Sequence, residues 1–259
     1  MSKAILYDAT LCIGCKQCEE GCAKANGLPY NDKIAAEPRQ SEHKYTVVLS
    51  KNDEKFMRRL CMHCGDPTCV SVCPVGALIK TSAGPVVYEE DRCMGCRYCM
   101  MACPFGVPKY EWDKAFPRVR KCIMCRERLQ AGKVTACTEA CPTGATKFGE
   151  RADLLAEARL RLKDNPKNYV NHIFGEYEAG GTSVLLLSGI PFQDFGYSLN
   201  LNTEPYPILT FRVLSRIPDI VGLGGALLGG IWWITHRRAE VAAAEGGEHP
   251  ISKSNKEAK

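Results

Sequence analysis

The chain has 259 residues, a length that fits one or two domains, and it contains sixteen cysteines. The formal net charge is only +5 and the basic residues form no long run, which gives little support to nucleic-acid binding. No Walker A loop, G-x-G-x-x-G turn or Ser/His/Asp arrangement lies near a predicted strand–helix junction. The sequence therefore does not predict an enzyme in its own right.

The N-terminal segment Met1–Tyr7 leads almost directly into the first of four cysteine groups. Because this segment is so short, we expect no cleavable signal peptide. The group has the spacing C-x2-C-x2-C-x3-C and consists of Cys12, Cys15, Cys18 and Cys22. Gly14 lies in the turn between the first two cysteines, where we expect a side chain to crowd a bound group or to forbid the backbone angle.

Residues 23–60 separate the first cysteine group from the second. Tyr45–Leu49 is predicted to form a strand and Lys51–Lys55 a charged turn. We interpret the segment as surface structure that docks a partner or covers a cofactor.

The second and third cysteine groups lie close together at 61–103. The second has a stretched gap, C-x2-C-x4-C-x3-C, and the third repeats the spacing of the first. Ser82–Pro85 is predicted to form a turn and Val86–Tyr88 a strand between them. The second group consists of Cys61, Cys64, Cys69 and Cys73, and the third of Cys93, Cys96, Cys99 and Cys103. His63 lies between two cysteines of a group that is already complete, so we do not expect it to be a ligand.

The fourth group has the most stretched spacing, C-x2-C-x11-C-x3-C, and consists of Cys122, Cys125, Cys137 and Cys141. The unstretched run is the bacterial ferredoxin signature for a [4Fe-4S] cluster, and the longer gaps are insertions into the same loop. A zinc site would leave the third cysteine of each group surplus, and a disulfide framework belongs to small extracellular chains. The sequence therefore predicts four [4Fe-4S] clusters held by all sixteen cysteines.

The fourth cysteine of each group is predicted to bind the cluster of another group, as in two-cluster ferredoxins. If the compact unit 61–103 contains groups two and three, groups one and four must pair around it. The resulting sets are Cys12, Cys15 and Cys18 with Cys141; Cys122, Cys125 and Cys137 with Cys22; Cys61, Cys64 and Cys69 with Cys103; and Cys93, Cys96 and Cys99 with Cys73. Pairing of one with two and three with four is the alternative, which the long insertion 23–60 makes less natural.

Apolar and cationic residues lie within the cysteine loops. We expect one set to insulate the clusters from water: Ile13, Val70, Val72, Met94, Met100, Met101, Ile123 and Met124. A second set, Lys16, Arg97, Lys121 and Arg126, is predicted to raise the cluster potentials by favouring the reduced state. The alternative for these four cations is solvated surface charge.

Beyond the last cysteine group, Asp153–Leu162 is predicted to form a helix that ends before Pro166, and Thr182–Ser188 a short buried strand. The sixteen residues Ile220–Thr235 carry no charge and span about 24 Å as a helix, short of the roughly 30 Å hydrocarbon core. At one end of this stretch, Arg216 can reach the membrane–water interface. The other end has residues typical of that interface, Trp232–Trp233 followed by His236–Arg238.

We therefore predict one membrane helix in this region. Five glycines would disfavour such a helix in water, whereas Gly225-x-x-x-Gly229 offers a neighbouring membrane helix a flat face. Positive charges at the two ends nearly balance, so charge does not predict the orientation. Residues 239–259 are predicted to be disordered.

These loops, the late strand and the terminal helix resemble the four-cluster electron-transfer subunits of respiratory complexes. The chain is most similar to the iron–sulfur subunits of membrane-bound formate dehydrogenases and of hydrogenase-2-type [NiFe] hydrogenases. The resemblance covers about residues 1–238 and is carried by Thr10–Cys15, Cys61–Pro67, Val70–Val75, Cys93–Met100 and Gly180–Thr182.

The resemblance implies an α+β fold, with a nested pair of two-cluster ferredoxin-like modules in residues 1–150 and the cysteine exchange described above. The inner module would be 61–103, and the outer module 1–60 plus 104–150. An extension at 151–205, a transmembrane helix region at 206–238 and the tail 239–259 would follow.

The resemblance also implies a non-catalytic subunit that conducts electrons between a catalytic subunit and a quinone-reactive membrane subunit, such as a b-type cytochrome. The catalytic subunit would contain molybdenum, tungsten or nickel–iron. The terminal helix would contact lipid, and the cluster domain would be periplasmic, exported with its partner. Hydrogenase-2-type relatives carry their own export signal, so a cytoplasm-facing arrangement stays open. The alternative function is a soluble or peripheral polyferredoxin that serves several redox partners.

Overall fold

Short strands and short helices alternate along most of the chain in the computed structural model, which describes residues 2–52 and 54–246. The strands are β1 (Lys3–Asp8), β2 (Val47–Lys51), β3 (Lys55–Arg59), β4 (Leu78–Lys80), β5 (Val86–Tyr88), β6 (Lys109–Tyr110), β7 (Val119–Arg120), β8 (Thr146–Glu150) and β9 (Val184–Leu187). The helices are α1 (Gln17–Ala25), α2 (Asp32–Ala36), α3 (Thr68–Ser71), α4 (Tyr98–Ala102), α5 (Arg126–Gln130), α6 (Ala136–Glu139), α7 (Arg151–Asp164), α8 (Tyr206–Leu214) and α9 (Ile217–Ala244). This mixed content confirms the predicted α+β class.

A three-stranded sheet in the order β8-β1-β9 forms the centre of the first unit, which ends at Ile208. The central strand runs antiparallel to β8 and parallel to β9, with Ile5 opposite both Phe148 and Val184. All four residues of β9 are buried, as expected for a continuous apolar strand with both sheet faces covered. The strand predicted at Thr182–Ser188 is therefore confirmed.

Helix α7 covers one face of this sheet. Leu154 and Ala158 pack there with Leu6 and Leu185, and Arg161 Nη1 lies 2.6 Å from the buried Asp8 Oδ2. The predicted helix is confirmed, and it ends two residues before Pro166, where the residue preceding a proline disfavours helical geometry. The cysteine loops pack against the other face of the sheet.

The interpretation of 23–60 as surface structure is correct for residues 24–39, which are exposed or half-buried, and wrong for Lys44–Val48 and Met57–Arg58, which are buried. The Lys44 Nζ and Glu19 Oε2 atoms lie 2.9 Å apart, and both side chains are almost completely inaccessible. The antiparallel hairpin β2–β3 buries Val47 and Met57. The segment is anchored because a buried ion pair and apolar side chains of the hairpin hold it against the rest of the unit. The predicted strand begins at Val47 rather than Tyr45, and Asp53 in the predicted turn lies outside the described residues.

Two short helix pairs bring the cysteine loops together. Helix α1 of the first loop packs against α6 of the fourth, and α3 of the second packs against α4 of the third. A Cβ atom on Gly21 would lie 2.9 Å from the Ala140 Cβ, so glycine permits the close approach of α1 and α6. Between the second and third loops, β4 and β5 form an antiparallel hairpin, which confirms the predicted strand Val86–Tyr88.

Phe174 is completely buried at the centre of an aromatic cluster. Its ring centroid lies 4.9 Å from Tyr197 and 6.2 Å from Phe105, edge to face in both pairs. We expect Phe174→Ala to destabilise the fold by about 3–5 kcal/mol through lost burial and a cavity. Anaerobic thermal denaturation measures the effect, and Phe116→Ala, at an 87% exposed position, is the control. Equal midpoints for the two variants would contradict the packing account.

The second unit begins at Leu209 and contains α9. The 28 residues of α9 span about 42 Å, more than the roughly 30 Å hydrocarbon core, so charged residues at the helix ends can lie in the headgroup regions. The most apolar eighteen residues within Tyr206–Ala244 have a mean hydropathy of 1.5, so this stretch is long and apolar enough to cross a membrane by length and composition. The helix continues through Ala244, into the tail predicted to be disordered from residue 239. Residues 247–259 of that tail lie outside the described residues.

Candidate metal centres

The four cysteine loops share one backbone feature. The residue directly before the second cysteine has a positive φ in each loop: 71° at Gly14, 48° at His63, 75° at Gly95 and 54° at Met124. Left-handed geometry tightens a turn, and non-glycine residues adopt it only where the surrounding structure enforces it. The positive φ of Gly14 and Gly95 confirms that the backbone angle favours glycine there, whereas the other two loops hold a side chain at this position.

At Gly14 a neighbouring side chain also leaves no room for a Cβ atom. A Cβ atom built on it would lie 2.4 Å from the ring of Phe56, closer than any real contact. At Gly95 the nearest neighbour of such a Cβ would be the Tyr110 hydroxyl at 3.0 Å. Protein side chains therefore crowd these two positions.

Thiols of different loops lie next to one another. Burial raises the pKa of Cys22, and the nearby thiols of Cys122, Cys137 and Cys125 raise it further. Burial also raises the pKa of Cys64, together with Cys61, Cys103 and Cys69. At Cys99, burial followed by Cys93, Cys73 and Cys96 raises the pKa to about 11. In each case three thiols of one loop meet the fourth cysteine of another.

The remaining set consists of Cys12, Cys15 and Cys18 of the first loop and Cys141 of the fourth. Burial raises the pKa of Cys18 to about 12, and the thiols of Cys137 and Cys12 contribute to the increase. Cys141 packs against the same apolar core as Cys12 and Cys18, while Cys15 is exposed. The fourth cysteine of this set thus lies in the region of its predicted partners.

A cluster and a single ion require different spacings of their thiolates. Four thiolates around one tetrahedral zinc lie about 3.8 Å apart, because each Zn–S bond is about 2.3 Å long. In residues 2–52 and 54–246, no three Cys, His, Asp or Glu side chains are arranged to hold one metal ion. In a cubane each thiolate binds a different iron, so the thiols stand farther apart. All sixteen cysteines are free to act as such ligands.

The four groups of thiols form a row. Cys18 of the first set neighbours Cys137 of the fourth, and Cys122 of the fourth neighbours Cys61 of the second. Cys69 of the second set neighbours Cys99 of the third. The order in space is therefore first, fourth, second, third.

The two ends of this row are open to solvent. Cys15 and Cys96 are exposed, whereas Cys61 and Cys137 in the middle are buried. Ile13 is 62% exposed and Met94 66%.

The prediction that the apolar set insulates the clusters from water is therefore only partly correct. Met124 is buried and Val70, Val72, Met100 and Ile123 are half-buried, but Met101 is 85% exposed. The exposed members lie in the first and third loops, which are the two ends of the row.

Backbone N–H groups donate to several cysteine sulfurs. The N–H of Ala77 lies 3.2 Å from Cys73 Sγ, and that of Met124 lies 3.3 Å from Cys122 Sγ. A longer contact of 3.5 Å joins the Gly14 N–H to Cys12 Sγ. Such bonds stabilise thiolates and raise the potential of a cluster that they hold.

The four predicted cations occupy different environments. Lys121 is buried, and its Nζ donates to the carbonyls of Val86 and Cys122. Arg126 Nη1 pairs with Glu89 at 2.7 Å, and Arg97 lies over the Trp112 ring at 5.2 Å. Lys16 Nζ donates to the Ala35 carbonyl at 2.8 Å. That these cations raise the cluster potentials stays a prediction for all four. Such an effect requires a charge that is weakly screened by water, and the buried Lys121 meets this requirement best.

His63 is buried, and of its two ring nitrogens only Nδ1 has a hydrogen-bond partner among the described residues. The Val86 N–H donates to His63 Nδ1 at 2.9 Å, so a neutral ring carries its proton on Nε2. Burial lowers the pKa of His63 well below its usual value, and the charges of Lys121 and Lys80 lower it further. A protonated Nε2 offers no lone pair to a metal, which agrees with the expectation that His63 is not a ligand.

Sequence reasoning missed Arg58, a completely buried guanidinium beside the cysteine loops. The sequence contains a signal, because Arg58 follows Phe56 by two residues and precedes Leu60 by two, the spacing of one face of an extended chain. A position flanked in this way by apolar residues is predicted to point inward.

Fold and thiol arrangement together define a ferredoxin-like iron–sulfur protein. Residues 11–77 and 52–151 both match the 4Fe-4S dicluster domain. The chain belongs to the family of 4Fe-4S dicluster iron–sulfur proteins that includes the iron–sulfur subunits of hydrogenase- and formate dehydrogenase-type oxidoreductases, which confirms the resemblance. Its sixteen cysteines are the number that four [4Fe-4S] clusters require.

Three relatives illustrate the similarity. A protein of Nitratidesulfovibrio vulgaris strain Hildenborough is 40% identical over 260 residues, which cover 95% of this chain and 70% of the relative. The Hydrogenase-2 operon protein HybA of Escherichia coli O157:H7 is 38% identical over 74% of this chain and 72% of its own length. The formate dehydrogenase iron–sulfur subunit of Haemophilus influenzae is 33% identical over 70% of this chain and 63% of its own length.

Proposed function

We propose that this chain is the electron-transfer subunit of a membrane-bound respiratory oxidoreductase. It would hold four [4Fe-4S] clusters that conduct electrons between a catalytic subunit and a quinone-reactive membrane subunit. The observation that carries the proposal is the row of four thiol groups, buried in the middle and exposed at Cys15 and Cys96. Each cluster, when bound, accepts and releases one electron, while the chain positions and insulates it.

The ligand sets follow the exchange predicted from the sequence. Cys22 would join the cluster of the fourth loop and Cys141 that of the first, with Cys73 and Cys103 exchanged in the same way between loops two and three. The packing of α1 on α6 and of α3 on α4 supports this nested arrangement. It also supports an inner module at 61–103 and an outer module at 1–60 plus 104–150.

The partners are proposed from relatives and from surface chemistry. The names of HybA and of the formate dehydrogenase iron–sulfur subunits point to a hydrogenase or a formate dehydrogenase. A catalytic subunit with nickel–iron or with molybdenum or tungsten is therefore proposed. Exposed Ile13 and Met94 beside the terminal thiol groups are suited to contact redox partners. A b-type cytochrome is the proposed membrane partner, and α9 the anchor in lipid. We favour a periplasmic cluster domain, exported with the catalytic subunit, over a cytoplasmic one.

Anaerobic purification from detergent-solubilised membranes tests this function. We expect brown material with about sixteen iron atoms per chain, a co-purifying catalytic subunit, and clusters that are reduced when its substrate is added. Colourless protein, or far fewer irons, would contradict the cluster assignment.

The anchor is tested in the same preparation. Leu227→Arg with Leu228→Arg places two charges in the apolar part of α9, each costing about 2.5–3.5 kcal/mol at a membrane centre. We expect this variant in the soluble fraction, and the control Leu227→Phe with Leu228→Phe in the membrane fraction. A wild-type chain that is soluble without detergent would favour the polyferredoxin alternative.

A further inference from the structure

Arg58 is the largest of the fully buried side chains among the described residues. Its Nε donates to Thr46 Oγ1 at 2.8 Å and its Nη1 to Thr146 Oγ1 at 3.3 Å. These two hydroxyls are neutral, and no carboxylate in the described part of the chain forms an ion pair with Arg58. The guanidinium is therefore fixed in place without a conventional counter-ion.

The groups near Arg58 that can become negative are cysteines. The guanidinium forms a side-chain hydrogen bond with Cys137, and the thiols of Cys18 and Cys22 lie close to it. An arginine stays protonated in proteins, so a positive charge is present in this core. A buried cation is strongly destabilising unless negative charge lies beside it.

Those thiols provide that charge when they bind iron. Ligation by iron requires the thiolate form. The charge of Arg58 is thus compensated in the cluster-loaded protein.

The position of the guanidinium relates it to two clusters at once. In the proposed ligand sets, Cys18 belongs to the first cluster, and Cys22 and Cys137 belong to the fourth. We propose that Arg58 is the shared counter-cation of the two outer-module clusters and raises the reduction potentials of both. This inference rests on the proposed function, because it needs clusters at these thiols.

The effect follows from charge. Reduction adds an electron to a cluster that is already anionic, and a fixed cation nearby stabilises the product more than the reactant. The interaction is strong because the site is buried and weakly screened by water. In the row of thiol groups, the second and third sets follow the fourth, beyond the neighbouring thiols of Cys122 and Cys61. The inner-module clusters would thus be farther from Arg58, so their potentials should depend little on it.

Potentiometric titration of the full chain, followed by electron paramagnetic resonance, tests the proposal. Arg58→Gln removes the charge and keeps N–H donors, whereas Arg58→Lys keeps the charge. Arg59→Gln is the matched control, because Arg59 lies 4.9 Å from the Tyr197 ring and donates to the Phe195 and Gly196 carbonyls.

In Arg58→Gln we expect the reduced-to-oxidised ratio of two clusters to fall at least tenfold at a fixed potential, which corresponds to about 59 mV for a one-electron couple. The other two clusters should keep their midpoints, and Arg58→Lys and Arg59→Gln should match the wild type. If Arg58→Gln loses two clusters, their retention at wild-type potentials in Arg58→Lys would equally support a charge requirement.

Three results would overturn the inference. One is four clusters at unchanged potentials in Arg58→Gln. Another is an equal shift in Arg58→Lys, and the third is loss of the same clusters from both variants, since shape rather than charge would then be required. Wild-type protein without four clusters would instead contradict the proposed function, so the two failures are distinguishable.

Discussion

Cys22→Ala is expected to remove the cluster of the fourth cysteine loop and to leave that of the first loop in place. Cys22 follows Cys18 by four residues, yet its nearest thiols are those of Cys122, Cys137 and Cys125. Iron should fall from about sixteen to about twelve atoms per chain, because one of four cubanes loses a ligand. The spectrum of the reduced protein should match that of Cys137→Ala.

The matched control is Cys141→Ala, which removes the fourth cysteine of the other outer loop by the same substitution. Its spectrum should match that of Cys18→Ala, because Cys141 is assigned to the first cluster. Identical spectra for Cys22→Ala and Cys18→Ala would show that each loop keeps its own fourth cysteine. A loss of two clusters from either single variant would also argue against the assigned sets.

Local features of this fold were predictable from the sequence. Cysteine spacing identified all four loops, and the apolar run at Val184–Leu187 and the helical pattern before Pro166 identified β9 and α7. Each of these signals depends on residues within one turn, one strand or one helix. Such short-range constraints are encoded in neighbouring residues.

Long-range features were not predictable in the same way. The buried ion pair of Glu19 with Lys44 joins two segments whose charges look like surface charges in the sequence. The positive φ of His63 and Met124 is imposed by the loop as a whole, because neither residue type favours that geometry. Arg58 was missed for a related reason, since only the assembled core shows which thiols surround it.

Exposure of the terminal loops has the same origin. Met94 and Met101 belong to a cysteine loop and are apolar, so the sequence indicated burial, yet they lie at the surface of the single chain. Their loop forms the end of the row, where the protein contributes only one side of the surroundings. An electron-transfer subunit needs such ends, because an electron must leave the chain at a surface where another protein approaches.

Removal of iron is expected to unfold the inner module while the central sheet and α7 persist. The inner core consists of few buried residues, and Cys99 is one of them, with Cys69, Cys73 and Cys93 packed around it. Without clusters these thiols lose the ligation that holds the loops together, and binding energy of this kind is folding energy. The core between α7 and the sheet is aliphatic, with Ala4, Leu6, Leu154, Ala158, Ile173, Leu185 and Leu187.

Hydrogen exchange with mass spectrometry, on protein treated anaerobically with chelator and reductant, measures this difference. Peptides from 61–103 should exchange like an unfolded chain, whereas those of β9 and α7 should keep protection. The cluster-loaded protein, handled identically without chelator, should protect both regions. The two cores are expected to differ in their dependence on cysteine ligation. If both regions kept their protection after iron removal, or if both lost it, this expectation would be contradicted.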